Sequence, residues 1–176
     1  EPGTFALEFV NLQAKSTLYF EPGMGMETNI RFMDIKFGAT VDTDYVNATF
    51  ELLDVEAESI FTVAGHRGFG NHTRGAGLTT SGTDGSGAGH GSPGGRVGAL
   101  EGGAQYGDFR WPTLPGARGG NDGGFGGGWM DIVGDYVVVD GRLDASGSDS
   151  AVDRISGAGS GGSLLVVADH LTGTGK

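Results

Sequence analysis

Gly127-Gly128-Trp129-Met130-Asp131-Ile132 and Gly161-Gly162-Ser163-Leu164-Leu165-Val166 align at an offset of 34 residues. In the same register Val137 meets Leu171 and Gly141 meets Gly175. The shared pattern is two glycines followed by alternating apolar positions, the period-2 signature of a strand with one buried face. A repeat of this length points to stacked units, each burying its apolar face only against its neighbours. The pattern runs to Gly173-Thr174-Gly175-Lys176, which predicts a terminal rung of Leu164, Val166 and Leu171 that further chain or a second molecule completes.

Ahead of the repeat the chain changes character. Only four of its 37 glycines lie in residues 1–64, which read as ordinary strands. Thr4–Val10, Ser16–Phe20, Asn29–Phe37, Ala48–Leu53 and Ser59–Val63 are rich in β-branched and aromatic residues and bounded by Gly, Pro, Asn and Asp. In the third run Ile30, Phe32, Ile35 and Phe37 are the inward candidates. A helical turn over Phe50–Ser59 is the alternative there, without a good N-cap. Residues 65–128 are saturated with Gly and low in apolar residues, so a flexible linker competes with an ordered loop. Phe69, Tyr106, Phe109, Trp111, Phe125 and Trp129 favour the ordered loop, as apolar anchors a linker would not carry. The expected organisation is therefore N-terminal β-rungs over 1–64, a Gly-rich ordered segment of the same domain over 65–128, and C-terminal rungs over 129–176.

Composition excludes several classes. Glycine is about three times as frequent as in a domain of average composition and lacks the Gly-X-Y period of collagen. The net charge of −11 repels phosphate backbones, so no nucleic-acid partner is expected. No apolar run approaches the roughly 20 residues of a membrane helix, so no membrane insertion is expected either. There is no Cys, hence no disulfide, thiolate metal site or thiol nucleophile. The first residue, Glu1, is not Met, which reads as a processed product or a piece of something larger.

Gly87-Ala88-Gly89-His90-Gly91-Ser92-Pro93-Gly94-Gly95 resembles the GxGHGGxGG loop of Gly-rich segments in very large extracellular and cell-surface proteins of protists, algae and animals, and in some bacterial adhesins. Tyr106-Gly107-Asp108 with Pro112 and Gly119-Gly120 is similar to the segment that follows that loop, and Val137–Gly147 to its strand–turn–strand unit. Gly157–Val166 resembles its GxGSGGS-strand motif. Ser92-Pro93 departs from the usual glycine pair, and Ala117-Arg118 sits where small residues are common. The likeness covers about residues 61–176. It implies an all-β, right-handed parallel β-helix with long Gly-rich loops, in structural, adhesive or filament-forming roles. Cilium or flagellum hairs, cell walls and matrix fibres are compatible settings.

Chemistry-bearing residues point the same way. His66, His72, His90 and His170 show no metal-ligand spacing and read as turn residues. No Gly-x-Ser-x-Gly elbow opens a helix, and Gly82–Gly91 lacks the Lys-Ser/Thr ending of a phosphate loop. No catalytic, cofactor or metal residue is assigned. Asp140, Asp144, Asp149 and Asp153, and the run Gly119–Phe125, leave Ca²⁺ open against solvated acids. Asn47-Ala48-Thr49 and Asn71-His72-Thr73 are sequons, with Asn71 the stronger glycan acceptor because it lies in a polar loop. The expected partners are other chains or segments of the same assembly, with glycans as a further possibility. The rival readings are a carbohydrate-binding module using Tyr106, Trp111 and Trp129, and a polysaccharide-acting β-helix enzyme built on Arg142 with Asp140, Asp144 and Asp153.

Overall fold

The computed structural model describes residues 6–65, 74–80, 84–150 and 156–176. Among these there is no helix. Strand β1 (Leu7–Leu12) is followed by β2 (Thr17–Tyr19), β3 (Met26–Ile35), β4 (Thr40–Asp42), β5 (Tyr45–Val55) and β6 (Ile60–Thr62). After a long insertion come β7 (Trp129–Val139), β8 (Arg142–Asp144) and β9 (Ser163–Thr172). The chain alternates between two sheets, one in the order β1-β3-β5-β7-β9 and the other β2-β4-β6-β8. The pairs β1/β3, β3/β5, β2/β4, β4/β6 and β6/β8 are parallel. The protein is thus all-β with parallel sheets. Residues 50–55 are strand, and the helical alternative over 50–59 falls.

Two compact units divide the chain: residues 1–62, 130–144 and 165–176 form the first, and 63–129 with 145–164 the second. In the first, the connections β1–β2, β3–β4 and β5–β6 are tight turns of the same design. Ser16, Ala39 and Ser59 donate their N–H groups to the carbonyls of Gln13, Lys36 and Glu56. The third residue of each turn is left-handed: Lys15 (φ 61°), Gly38 (φ 69°) and Glu58 (φ 60°). Backbone bonds continue between successive turns, from Lys15 N–H to Phe37 O and from Glu56 N–H to Ile35 O. Aligned on these turns, Phe9–Tyr19, Phe32–Asp42 and Leu52–Thr62 share a pattern of two apolar residues, Asn or Asp, an apolar residue, the turn, and an apolar residue two after it.

The core of this unit is a set of stacked columns. Ile30 pairs with Phe50, Met33 with Leu53, Ile35 with Val55 and Val41 with Phe61, and all eight are almost completely buried. Alternation along the long strands is not strict. Between Ile30 and Met33, between Phe50 and Leu53, and between Gly134 and Val137, two consecutive residues are left off the buried face. This shift moves Phe32 out of the core and puts Met33 in it, and Phe37 is exposed in its turn. The expectation that Phe32 and Phe37 point inward is therefore corrected, because the period-2 reading ran through a phase change. The 34-residue register holds: the Tyr136 and His170 rings stack with centroids 4.7 Å apart, and the Asp140 carboxylate accepts from the Thr174 N–H at 2.9 Å.

The second unit is ordered almost without regular structure. Its glycine segments hydrogen-bond backbone to backbone: Gly87 N–H to Gly95 O, Gly94 N–H to Gly103 O, Gly120 N–H to Ser86 O and Gly157 N–H to Gly120 O, all at 2.9–3.0 Å. Serines complete the pattern, with Ser86, Ser148 and Ser160 accepting the N–H of Leu78, Phe125 and Ala117, each at 2.8 Å. A Cβ at Gly162 would overlap the carbonyl oxygen of Gly128, and one at Gly119 that of Gly157. Such close approach is open only to glycine. The described residues of the Gly-rich segment are ordered, and the expected cause, aromatic anchoring, is met only in part. Phe109 and Trp111 are exposed, Tyr106, Phe125 and Trp129 are half-buried, and Phe69 lies outside the described residues, so direct backbone contact holds much of the segment beside a partial burial of aromatics.

Two outcomes check this packing. Met33→Ala should cost about 2–5 kcal/mol in urea unfolding, as core truncations do, and Phe32→Ala distinctly less, although the two are adjacent. Gly162→Ala, a forced overlap with backbone, should cost at least about 1–3 kcal/mol and raise amide exchange around Gly128 first.

Candidate assembly interface

The phase shift sets up the outer face of the first unit. Where two residues in a row escape the core, parallel stacking lines them into ladders. In one ladder the Arg31 guanidinium lies between Glu8 (2.8 Å) and Glu51 (2.5 Å). Its hydrogen bonds to Glu51 and then Glu8 raise its pKa further. In the neighbouring ladder the Phe9 and Phe32 rings lie 6.5 Å apart.

Two residues further along, Asn11 pairs with Asp34 and Asp34 with Asp54, so carboxylates stack at strand spacing. Lys36 from the following turn reaches Asp34 at 2.5 Å and Glu56 at 2.9 Å. Its pKa is raised by the bond to Asp34 first and Glu56 second. Glu56 is held below its usual value by the same Lys36 bond, then by the Phe37 N–H. Asp54 moves the other way: burial raises its pKa, and the charges of Asp34 and Glu56 add to this. Asp34, Asp54 and Glu56 are the acidic groups that converge among the described residues. Two of the three already bind the Lys36 ammonium.

Of the carboxylates singled out for Ca²⁺, two take other partners. Asp140 accepts from both the N–H and hydroxyl of Thr174, and Asp144 pairs with Arg142 at 2.8 Å. Asp149 is exposed, and Asp153 lies outside the described residues. Asn47 is exposed on β5 together with Thr49, while Ala48 between them is buried. Asn71, with His66 and His72, lies outside the described residues. His90 hydrogen-bonds the distant Gly161 carbonyl at 2.8 Å, and His170 stacks on Tyr136. The ladders and the Asp34–Asp54–Glu56 convergence were not identified from sequence. Their signal was the shared pattern of Phe9–Tyr19, Phe32–Asp42 and Leu52–Thr62, which carries no glycine pair to mark it.

The sheet ends are the remaining feature. β1 and β9 are the outer strands of the five-stranded sheet. On β1, Leu7 and Phe9 are exposed, and an open groove of about 390 Å³ beside it is lined by Leu7, Val10, Leu18, Phe20, Met26 and Ile30. On β9, Leu164, Val167 and Leu171 are exposed. No family model, curated protein or solved structure significantly matches this chain.

The opposed titrations give a pH signature. An acid whose folded pKa is raised weakens the fold while ionised, and the penalty fades as pH falls through that pKa. Asp54→Asn should therefore stabilise the protein at pH 7 by up to about 1 kcal/mol, the scale of solvent-screened pairs. The gain should vanish as pH drops towards the ordinary value of 3.8. Glu56 contributes the reverse: its stabilisation is present above 4.5 and lost below it. Lys36→Met should remove it, so that variant should differ from wild type at pH 7 and converge with it in acid. Urea midpoints across pH 3–7 check both.

Proposed function

We propose that this chain is a structural segment of an extracellular filament, matrix or adhesive cell-surface protein, built as a right-handed parallel β-helix. Its work is mechanical: successive rungs pair backbone to backbone about 4.8 Å apart, and the stack is extended by further segments or copies of the same assembly. The observation that carries this reading is the pair of bare apolar sheet ends. Soluble proteins usually blunt their edge strands with charge, proline or a covering loop. Here β1 leaves Leu7 and Phe9 exposed over an apolar groove, and β9 leaves Leu164, Val167 and Leu171 exposed. Joining β9 of one molecule to β1 of the next would continue the sheet and cover both. The alternation of successive strands between two parallel sheets supports a helical coil, because each pass then adds one strand to each sheet. The resemblance of Gly87–Gly95 and Gly157–Val166 to Gly-rich surface proteins supports the extracellular setting. In that setting Asn71 and Asn47 carry glycan, and Asn47 is exposed on its strand.

Head-to-tail joining is heterologous and does not close, so it yields fibres and not a fixed oligomer. Sedimentation of residues 1–176 should show association that grows with concentration, and electron microscopy should show filaments. Val10→Asp, a charge on the β1 edge, should suppress both without unfolding the protein. A well-folded monomer at high concentration, with Val10→Asp and Leu171→Asp both silent, would overturn the proposal. Protein from its native source should carry hexose-type mass on Asn71, and on Asn47 where the β5 face is free. Unmodified sequons in intact-mass spectra would remove the secreted setting.

A further inference from the structure

The loop from Tyr106 to Pro112, in the second unit, is braced at its base and bare at its tip. The Tyr106 hydroxyl donates to Pro115 O at 2.6 Å, and its ring lies against that of His90 with centroids 4.6 Å apart. The Gln105 amide donates to Gly91 O at 2.9 Å, and the Asp108 carboxylate accepts the Arg110 N–H at 2.8 Å. With its base fixed in this way, the loop still presents Phe109 at 88% and Trp111 at 66% exposure. The Arg110 guanidinium is 5.4 Å from the centroid of the Phe109 ring. Large aromatics held out in water by a braced loop mark a contact surface. Beside the tip is an open cavity of about 260 Å³, lined by His90, Gln105, Tyr106, Asp108, Phe109 and Pro112.

The polar groups of this cavity are mostly acceptors. His90 Nδ1 faces the Gly161 carbonyl, so in the neutral ring it carries the hydrogen and Nε2 is left as acceptor. The Asp108 carboxylate and the Gln105 amide oxygen add further acceptor capacity. A ligand suited to this arrangement offers hydroxyl donors at its edge and an apolar C–H face to lay on an aromatic ring. That is the chemistry of a pyranose. The acidic protein, at net charge −11, disfavours uronates and sulfated glycans. We propose that the cavity and the Phe109–Trp111 tip form a binding site for neutral saccharides. The cavity wall also includes Gly162, Ser163 and Leu164, so it shares the start of β9 with the assembly reading; the β1 edge takes no part in it, and Val10→Asp on that edge separates the two.

The test uses the whole chain with Trp129→Phe, which leaves Trp111 as the sole indole. Neutral gluco-, manno-, galacto- and N-acetylglucosamine oligosaccharides, and polygalacturonate, are titrated while Trp111 emission is followed. At least one neutral oligosaccharide should give a saturable change, and polygalacturonate none. Phe109→Ala and Asp108→Ala should each weaken binding at least about tenfold, and Val10→Asp should leave it unchanged. In wild type, amide chemical-shift changes should map to 90–91, 105–112 and 162–164, a readout that does not depend on the variants folding. Failure of every neutral saccharide at millimolar concentration, shifts mapping elsewhere, or a Phe109→Ala variant that loses self-association in place of sugar binding would each overturn the proposal. The last outcome would make the tip a protein contact.

Discussion

The rest of the first unit depends on parallel in-register pairing of the backbone, carried through the strands and into the turns between them. Parallel register brings residues of like position side by side, so each property of one rung is repeated or answered in the next. Ile30 against Phe50 and Met33 against Leu53 make the core continuous. The same rule stacks Asp34 on Asp54, where like charges oppose the register. Lys36 offsets that repulsion by binding Asp34 and Glu56 together, and Asp54, to which it makes no ion pair, keeps the raised pKa as the residual cost.

The second unit reaches order by a different physical route. It buries few large side chains, so the hydrophobic area that normally offsets chain entropy is scarce. Its glycines let peptide groups of neighbouring segments come close enough to hydrogen-bond one another, with serine hydroxyls filling positions the backbone leaves open. The backbone is consumed in this lattice, and the large aromatics Phe109 and Trp111 are left at the surface. A fold of this kind frees its aromatic residues for contact with something else, which a conventional core does not.

Much of the strand content was legible because β-branched and aromatic runs in residues 1–64 are cut by clear turn residues, and because Gly127–Ile132 and Gly161–Val166 repeat visibly. The 34-residue register follows from those residues and is the one that stacks Tyr136 on His170. The repeat over Phe9–Tyr19, Phe32–Asp42 and Leu52–Thr62 was equally present in the residues. It was hidden because its turns are marked by one left-handed residue, and Lys15 and Glu58 take that conformation without being glycine.

The sequence by itself determined the class of structure. Alternating apolar residues require a buried sheet face, whereas the glycine content by itself suits a flexible linker as well as close backbone packing. Only the tertiary structure decided which residues face inward. The phase change after Ile30, Phe50 and Gly134 lies in strands that remain paired in register, so no local propensity signals it. It exchanged Phe32 for Met33 in the core and created the outer ladders. The position of Phe109 and Trp111 was likewise a tertiary outcome. An aromatic side chain in sequence is equally suited to anchor a loop or to project from one, and the choice rests on whether the surrounding backbone has already filled the space beneath it.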